Sequence, residues 1–365
     1  MRVAQVLYSG LGGHGSVALS LAGTASATGA WDCAMVFMGI EETLPAYRHA
    51  CAANGYRHLE IRTRPGQAWR SWPSFYRALD ALAPDVIVLH SVKAILPAAL
   101  YAWRRSIPLV AVEHQPNNIK RKSEWWVSRW LQQLADAVVV LTGEYRATLA
   151  SALGRGFRPG KVHLIPNGID VDVFVAEQGA SCSGAPLIGM AARMTTMKRQ
   201  DLLIDALAML RQSGVDWRLS LAGDGEELGG LRARAVAAGL GDAVEFTGYL
   251  DEPGLVRWFR TLDVYAHASD GETLSTSLLQ ALAMGLPIVG SAVPGIENLL
   301  ARGNGVGIAV EQTPEAFAAA FRRLRDDPLE AAGLRVRARQ LAETEYSMQA
   351  MFARYDRVVA SLCQG

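Results

Sequence analysis

Short runs of Val, Ile and Leu alternate with longer amphipathic stretches along this chain. Continuous apolar runs predict parallel strands buried on both faces, and the stretches between them predict connecting helices. The first series of runs is Val3–Tyr8, Cys33–Met38, Val86–His90, Leu109–Val112, Ala137–Leu141 and Val162–Ile165. The second series is Leu187–Ala191, Trp217–Ala222, Val244–Thr247, Val264–Ala266, Ile288–Val289 and Gly307–Val310. The pattern predicts an α/β protein with two doubly wound domains in tandem.

The two series are separated by a turn-rich segment, in which Pro-Asn-Gly-Ile-Asp ends at Asp170 and small or polar residues fill 176–186. We therefore expect domains over 1–172 and 184–345. The last segment, 346–365, carries an apolar stripe at helical spacing and is expected to pack back on the first domain. Ligands in doubly wound sheets bind beyond the carboxyl ends of the strands, so two facing domains would form a cleft.

Composition narrows the choice of partners. The formal net charge of the 365 residues is +1, which argues against nucleic acid. Residues 1–175 hold 18 Lys and Arg against 12 Asp and Glu, whereas the remainder carries a net charge of −5. A basic first half suits a phosphate-bearing acceptor or an acidic surface.

The cysteines and the apolar runs predict a cytoplasmic protein. Cys33, Cys51, Cys182 and Cys363 are far apart, with neither metal-site nor disulfide spacing, which favours reduced thiols. Glycines between residues 10 and 15 interrupt any signal-peptide core. No run approaches the roughly 18 apolar residues that span a bilayer.

Residues 267–290 carry the most informative motif. A strand leads into a polar loop, and a helix over Thr273–Met284 is predicted to begin directly after Glu272. The first N–H groups of a helix and its dipole attract an anion. Glu272 would then be available for hydroxyl groups of the same ligand, which indicates a sugar nucleotide.

Two cations also lie between a predicted strand and a predicted helix in the second series of apolar runs. Arg193 and Lys198 follow one predicted strand and precede the helix predicted over Arg199–Arg211. Because the helix dipole disfavours cations at that end, an anion between them is expected. The alternative is a pair of solvated surface charges.

Together with Tyr8–Gly15, Gly189–Leu207 and Leu221–Glu226, the segment 263–290 resembles the retaining glycosyltransferases of family 4. This resemblance implies the GT-B fold, in which two Rossmann-like domains face a central cleft. It also implies a nucleoside-diphosphate sugar donor, UDP- or GDP-linked, and a saccharide acceptor, with no cofactor and no bound metal. A lipid-linked intermediate of bacterial surface polysaccharide is the acceptor that the family suggests.

The resemblance also assigns roles to single residues. Arg193 and Lys198 match the phosphate-binding cations, Glu272 matches the carboxylate facing the donor sugar, and His114 matches a histidine beside that sugar. The remaining donor-binding candidates are Gly12, Gly13, Thr273, Leu274, Ser275 and Gln280. The catalytic candidates are His114 and Glu272.

Gln280 departs from the family pattern, which has a second carboxylate for the ribose hydroxyls at this position. Glu272 and Gln280 are expected about two turns apart on one side of a helix. An amide in place of a carboxylate weakens that contact by about 1 kcal/mol, which lowers donor affinity without abolishing turnover. The alternative is a polar residue on an exposed helix side.

Other residues have structural alternatives. Gly12 and Gly13 would suit a plain strand-to-helix turn, and His114 alone after a strand would suit a structural role. Glu113 and His90 are weaker site candidates. Asp170 and Asp172 could bind a cation, but their place beside Asn-Gly favours a turn.

The segment 118–130 combines basic residues with tryptophans. The basic residues are Lys120, Arg121, Lys122 and Arg129, and the aromatic ones are Trp125, Trp126 and Trp130. On an amphipathic helix this mixture indicates contact with a membrane surface. The alternative is a surface helix whose tryptophans face the core.

Three other functions remain open from the sequence. A sugar-nucleotide epimerase of the same fold would need acid and base groups around the sugar ring, and few are evident. A non-catalytic nucleotide-binding relative would tolerate Gln280. A dinucleotide oxidoreductase is disfavoured because the first glycine-rich loop lacks the full fingerprint and its acidic partner.

Overall fold

The computed structural model describes residues 1–10, 13–114, 122–176 and 185–364. The chain forms two compact units. Unit 1 comprises Met1–Gly168 and Met348–Gly365, and unit 2 comprises Ile169–Ser347. Each unit has its own parallel sheet with helices packed against it, so the two doubly wound domains predicted from the apolar runs are confirmed.

The sheet of unit 1 has seven parallel strands in the order β3-β2-β1-β4-β5-β6-β7. Its strands are β1 (Arg2–Leu7), β2 (Asp32–Gly39), β3 (Arg57–Arg62), β4 (Val86–Leu89), β5 (Leu109–Glu113), β6 (Ala137–Val140) and β7 (Val162–Leu164). The edge strand β3 was not predicted. Its sequence alternates charged and apolar residues because one face is exposed, so it lacks a continuous apolar run.

The helices of unit 1 cover both faces of this sheet. They are α1 (Gly13–Ala27), α2 (Pro45–Ala53), α3 (Trp72–Leu82), α4 (Ile95–Arg105), α5 (Lys122–Leu134), α6 (Gly143–Leu153) and the last helix of the chain, α14 (Met348–Cys363). The apolar stripe of α14 is buried in the core of this unit. The indole N–H of Trp31 donates to Asp356 Oδ1 at 2.8 Å, and the Trp31 ring meets Phe352 edge-on.

The sheet of unit 2 has six parallel strands in the order β10-β9-β8-β11-β12-β13. They are β8 (Leu187–Ala191), β9 (Arg218–Ala222), β10 (Val244–Gly248), β11 (Val264–His267), β12 (Ile288–Ser291) and β13 (Gly307–Val310). The strand order reverses between β8 and β11. In such sheets the crevice at the carboxyl ends of these two strands is the ligand-binding position.

The helices of unit 2 are α7 (Gln200–Gln212), α8 (Leu228–Ala237), α9 (Glu252–Arg260), α10 (Thr276–Ala283), α11 (Pro294–Leu300), α12 (Pro314–Asp326) and α13 (Pro328–Glu345). The predicted helix Thr273–Met284 was wrong at its start, because α10 begins at Thr276. Residues 273–275 are not helical. Glu272 therefore lies in the loop, and only Gln280 lies on the helix.

The segment that joins the two units contains a turn. Asp170 Oδ1 accepts hydrogen bonds from the backbone N–H groups of Asp172 and Val173, both at 3.0 Å. This geometry confirms the turn interpretation of the Asp170–Asp172 pair. Within the described residues, no cluster of three or more His, Cys, Asp and Glu side chains could hold a metal ion. The described helices include none with the length and hydropathy needed to cross a bilayer.

Candidate functional site

Two loops meet at the carboxyl edge of the unit 2 sheet, residues 192–199 after β8 and residues 268–275 after β11. The backbone oxygen of Met197 accepts a hydrogen bond from Ser269 Oγ at 3.1 Å and from the Asp270 N–H at 2.9 Å. Ser269 is fully buried, and its own N–H donates to Ser291 Oγ at 3.0 Å. The loops that carry Lys198 and Glu272 are therefore joined by fixed hydrogen bonds.

A third loop, which follows β9, packs against the loop formed by residues 192–199. Gly223 has φ of +128°, and a Cβ there would clash with the backbone oxygen of Ala192. A Cβ at Gly225 would clash with the backbone oxygen of Met194. Because only glycine permits this approach, the Gly-Asp-Gly sequence at 223–225 sets the position of the Arg193 loop.

Glu272 is the centre of the polar cluster at this edge. Its Oε2 accepts a hydrogen bond from Lys198 Nζ and lies 3.4 Å from His267 Nε2. Its Oε1 accepts the N–H of Thr273 at 3.1 Å. Burial favours the neutral carboxylic acid, but the His267 hydrogen bond and the Lys198 charge outweigh it and lower the pKa of Glu272 to about 2. The carboxylate is therefore ionised at neutral pH.

His267 was not predicted as a site residue, although its side chain is fully buried beside Glu272. Burial lowers the pKa of His267, so the imidazole is neutral at pH 7. Its Nδ1 lies 3.3 Å from the hydroxyl of Tyr265, which in turn lies 2.8 Å from Ser277 Oγ. Tyr265 and His267 are two residues apart on β11, so their side chains lie on the same face of the sheet. This two-residue spacing was the only signal in the sequence for the contact between Tyr265 and His267.

Arg193 lies beside this cluster with an exposed side chain and no ion pair among the residues that the structure describes. Its backbone is fixed, because Gln200 Nε2 donates to the Arg193 oxygen at 3.2 Å and the neighbouring Met194 side chain is fully buried. The nearby Arg199 guanidinium is instead paired with Asp201 and Asp270. Arg193 is thus an exposed cation on a backbone that is held in place.

The other candidates in unit 2 lie in the same loop and helix. Thr273, Leu274 and Ser275 are half-buried, and Ser275 Oγ lies 3.0 Å from Ser277 Oγ. Gln280 is buried on α10, so the alternative of an exposed helix position is wrong. Since Glu272 precedes the helix, the expectation that both residues share one helix side is also wrong.

The start of α11 packs against the backbone of the Glu272 loop. Gly295 is the second residue of this helix, and a Cβ there would overlap the backbone oxygen of Glu272 and lie 3.0 Å from that of Thr273. The loop therefore rests directly on the helix backbone. The position of Glu272 depends on the absence of a side chain at residue 295.

His114 belongs to unit 1, where it follows β5. Its Nε2 lies 3.1 Å from His90 Nδ1, and His90 Nε2 lies 2.9 Å from Gln5 Oε1. Gln5 also donates to the Cys33 thiol, and burial raises the pKa of that thiol to about 11. A chain of polar contacts therefore crosses the strands from Cys33 to His114.

Three further candidates belong to the unit 1 part of the sequence. The buried Glu113 carboxylate accepts hydrogen bonds from Tyr145 at 2.5 Å and from Ser128 at 3.0 Å, which fixes α5 and α6 to the end of β5. Its contacts are those of a structural residue. Gly13 is the first residue of α1, and Gly12 lies outside the described residues.

The tryptophan segment forms the described helix α5 from Lys122 onward, whereas Lys120 and Arg121 lie outside the described residues. Trp125 packs against the core. Trp126 and Trp130 are 62% and 43% exposed. The alternative that the tryptophans face the core is therefore wrong for two of the three.

Comparisons with known proteins agree with this architecture. Residues 11–173 match the model of "Glycosyltransferase Family 4", and residues 185–327 match that of "Glycosyl transferases group 1". A D-inositol 3-phosphate glycosyltransferase of Jonesia denitrificans is 28% identical over 87% of this chain and 83% of its own length. A 2-deoxystreptamine glucosyltransferase of Streptomyces kanamyceticus is 27% identical over 55% of this chain. The alignment covers 54% of that protein, so the chain spans about half the length of this relative.

Among solved structures, the Anabaena protein HepE in complex with UDP is similar, with a TM-score of 0.84 and 18% identity over 99% of this chain and 100% of that chain. Its complex with UDP-glucose superimposes with a TM-score of 0.80, at 18% identity and the same coverage. The fold and the matched families define a glycosyltransferase of the GT-B class. The two matched segments span most of the sequence, and the chain belongs to glycosyltransferase family 4.

Proposed function

We propose that the protein is a retaining glycosyltransferase that moves a hexose from a UDP- or GDP-linked donor to a saccharide acceptor. The observation that carries this proposal is the cluster at the strand-order reversal of unit 2. It combines an available cation, Arg193, with Lys198 and an ionised carboxylate, Glu272. Cations beside a carboxylate suit a ligand that carries both phosphates and hydroxyl groups.

The proposed reaction follows from these charges. The bond between the sugar C1 and the diphosphate breaks, and the positive charges of Arg193 and Lys198 stabilise the negative charge that builds on the leaving group. The acceptor oxygen forms its bond to C1 on the same face, and its proton passes to an oxygen of the departing diphosphate. Glu272 holds the sugar hydroxyls during this step.

In this proposal unit 2 binds the donor and unit 1 serves the acceptor. Gln280 on α10 would accept from a ribose hydroxyl through its amide oxygen, and Thr273, Leu274 and Ser275 would line the diphosphate position before the helix start. The roles of His114, Gly12 and Gly13 in unit 1 remain predictions of the family resemblance. UDP-glucose is a reasonable first donor, because the similar HepE binds it.

Nucleotide binding followed by transfer tests the proposal. At about 100 times Kd, UDP or GDP should raise the Tm by roughly 5–10 °C, since a ligand that binds only the folded state stabilises it. UMP and GMP, which lack the β-phosphate, should give much smaller shifts. With the matching sugar nucleotide and an acceptor, NMR of the product should show that the anomeric configuration of the donor is retained.

Other outcomes would overturn parts of this proposal. No Tm shift with any nucleoside diphosphate would refute the donor site. An epimer formed from the sugar nucleotide without acceptor would favour the epimerase. A product of inverted configuration would refute retention.

We also propose that the acceptor is lipid-linked and that unit 1 contacts the inner face of the cell membrane. Exposed apolar side chains recur at helical spacing on the neighbouring helices α4 and α5, and we call this surface the tryptophan patch. It consists of Leu96, Leu100, Trp103, Trp126, Trp130 and Leu134. Trp103 and Leu134 line one cavity of about 410 Å³, so the two stripes meet there.

The charges around the tryptophan patch favour an anionic bilayer as its partner. Lys93, Arg104 and Arg129 are exposed on or next to these two helices. Interfacial helices combine Trp and Leu on one side with Lys and Arg on the other, because the apolar side enters the headgroup region while the cations bind acidic lipids. The patch has this composition.

Co-sedimentation with vesicles checks the membrane contact. Vesicles of phosphatidylglycerol and phosphatidylcholine should retain the protein at low salt, and pure phosphatidylcholine should retain much less. Replacing Trp103 and Trp126 together by serine should lower binding about 10-fold or more. Trp69→Ser, an equally exposed tryptophan on neither helix, serves as the control. Dimer formation that these two substitutions abolish, without vesicle binding, would instead identify a self-association surface.

A further inference from the structure

Glu272 and Lys198 bind each other at the site where the proposed function assigns them to different parts of one donor. Lys198 is expected to bind the diphosphate, and Glu272 is expected to bind the sugar hydroxyls. In this structure Lys198 Nζ donates to Glu272 Oε2, and the two side chains are only 20% and 17% exposed. The carboxylate therefore competes with a phosphate for the same ammonium group.

The second partner of that carboxylate oxygen is a buried histidine. His267 Nε2 lies 3.4 Å from Glu272 Oε2, and the His267 side chain has no exposed surface. An ionised carboxylate can only accept a hydrogen bond, so Nε2 carries the proton. Burial keeps the ring neutral, so Nδ1 carries no proton and lies 3.3 Å from the Tyr265 hydroxyl.

The His267 ring is held by rigid surroundings. It belongs to β11 and stacks beside the fully buried Tyr265 ring at 6.1 Å between centroids. The Tyr265 hydroxyl also lies 3.3 Å from the Ala191 oxygen, at the end of β8. The orientation of His267 is therefore fixed by the sheet itself, whereas Lys198 reaches Glu272 from a loop through a long and flexible side chain.

We infer that the Lys198–Glu272 ion pair is a latch that a donor diphosphate must open, and that His267 is the positioning residue that keeps Glu272 in place once Lys198 has turned to the phosphates. This inference rests on the proposed function. It adds to that function an energetic coupling between the phosphate and sugar halves of the site. Loss of the Glu272 charge frees Lys198, so the coupling predicts tighter binding of the diphosphate.

If the ion pair is such a latch, removing the Glu272 charge should tighten nucleotide binding. Glu272→Gln should bind UDP or GDP, whichever the wild type binds, about 5-fold more tightly, because Lys198 no longer has a competing anion. The same variant should lose transfer activity, since the amide binds the sugar less well. Isothermal titration calorimetry with the nucleoside diphosphate alone measures the first effect.

Two controls separate the latch from a general effect of charge. Asp270 lies in the same loop, but its carboxylate is paired with Arg199, so Asp270→Asn should change the nucleotide Kd by less than about 2-fold. In a Lys198→Ala background, Glu272→Gln should no longer tighten binding, because the competing pair is already absent. Equal tightening in both backgrounds, or no tightening in the wild-type background, would overturn the latch.

The role of His267 has a different signature. His267→Leu should leave the UDP or GDP affinity within about 3-fold of wild type and lower kcat about 10- to 100-fold, the range for loss of a hydrogen bond to a charged group. His267→Gln should restore most of the activity, because its Nε2 can still donate to Glu272. An equal loss in both variants, or an unchanged kcat in the leucine variant, would refute the positioning role.

These outcomes distinguish this inference from the function on which it rests. If neither UDP nor GDP binds the wild-type protein, the proposed function fails and the latch fails with it. If a nucleotide binds the wild type and Glu272→Gln does not bind it more tightly, the latch alone is wrong. A Tm measured for each variant shows whether it is folded, and the Glu272→Gln comparison stands even if His267→Leu does not fold.

Discussion

Replacing Arg193 by alanine is expected to lower kcat/KM for sugar transfer by about 100- to 1,000-fold while leaving the Tm nearly unchanged. The guanidinium is exposed and has no ion pair among the described residues, so its removal breaks no contact seen in the folded protein. The leaving diphosphate would lose a stabilising positive charge, and removal of one such group typically has an effect of this size. Initial rates with the donor that unit 2 binds would measure it.

A matched control is available on the same sheet. Arg218 is also exposed in unit 2, but it begins β9 and thus lies at the amino ends of the strands, the edge opposite the candidate site. Arg218→Ala should retain full transfer activity. Full activity of Arg193→Ala would contradict the assignment of this residue to the donor phosphates.

Gly295→Ala is expected to lower transfer activity about 100-fold without removing any polar group. The added methyl group would overlap the Glu272 backbone oxygen, so the loop and α11 must move apart. A displacement of about 1 Å in a positioning residue can cost about 100-fold in rate. The same overpacking should destabilise the fold by roughly 1–3 kcal/mol. Transfer rates and denaturant unfolding measure the two effects separately.

Gly229→Ala is the control for Gly295→Ala. Gly229 is likewise the second residue of its helix, α8, but a Cβ there has open space around it. Alanine at this position should stabilise the helix by up to about 1 kcal/mol and leave activity unchanged. Wild-type activity in Gly295→Ala would show that the position of Glu272 tolerates movement of its loop.

The sequence predicted the buried strands well, because a parallel strand covered on both faces must be apolar throughout. The central strand β8, which is buried over its first four residues, begins and ends where its apolar run does. The prediction failed at β3, an edge strand that needs only one apolar face. An edge strand shows only a weak alternation of apolar and polar residues, and many surface loops show a similar pattern.

The candidate site was predicted only in part. Arg193, Lys198 and Glu272 were found because they follow strands, and the carboxyl ends of parallel strands share one edge of the sheet. His267 was missed because a histidine at the end of a buried strand has no visible partner in the sequence. Its charged partner, Glu272, becomes a neighbour only when the loop folds back over β11.

The start of α10 was predicted wrongly for a related reason. Thr273, Leu274 and Ser275 are compatible with a helix, but tertiary contacts prevent one. Glu272 is held by Lys198 and His267, and its backbone oxygen rests on α11. Ser275 adopts extended backbone angles, with φ of −78° and ψ of 127°, before the first helical turn.

The place of α14 has a consequence for the order in which the chain folds. Unit 2 is one uninterrupted stretch of polypeptide inserted between two parts of unit 1. Its two ends lie side by side, because the Ile169 N–H donates to the Tyr346 oxygen at 2.7 Å. On the ribosome, unit 2 can therefore mature as soon as it emerges. Unit 1, synthesised first, must wait with an open apolar groove until Met351, Tyr355 and Val359 arrive to fill it.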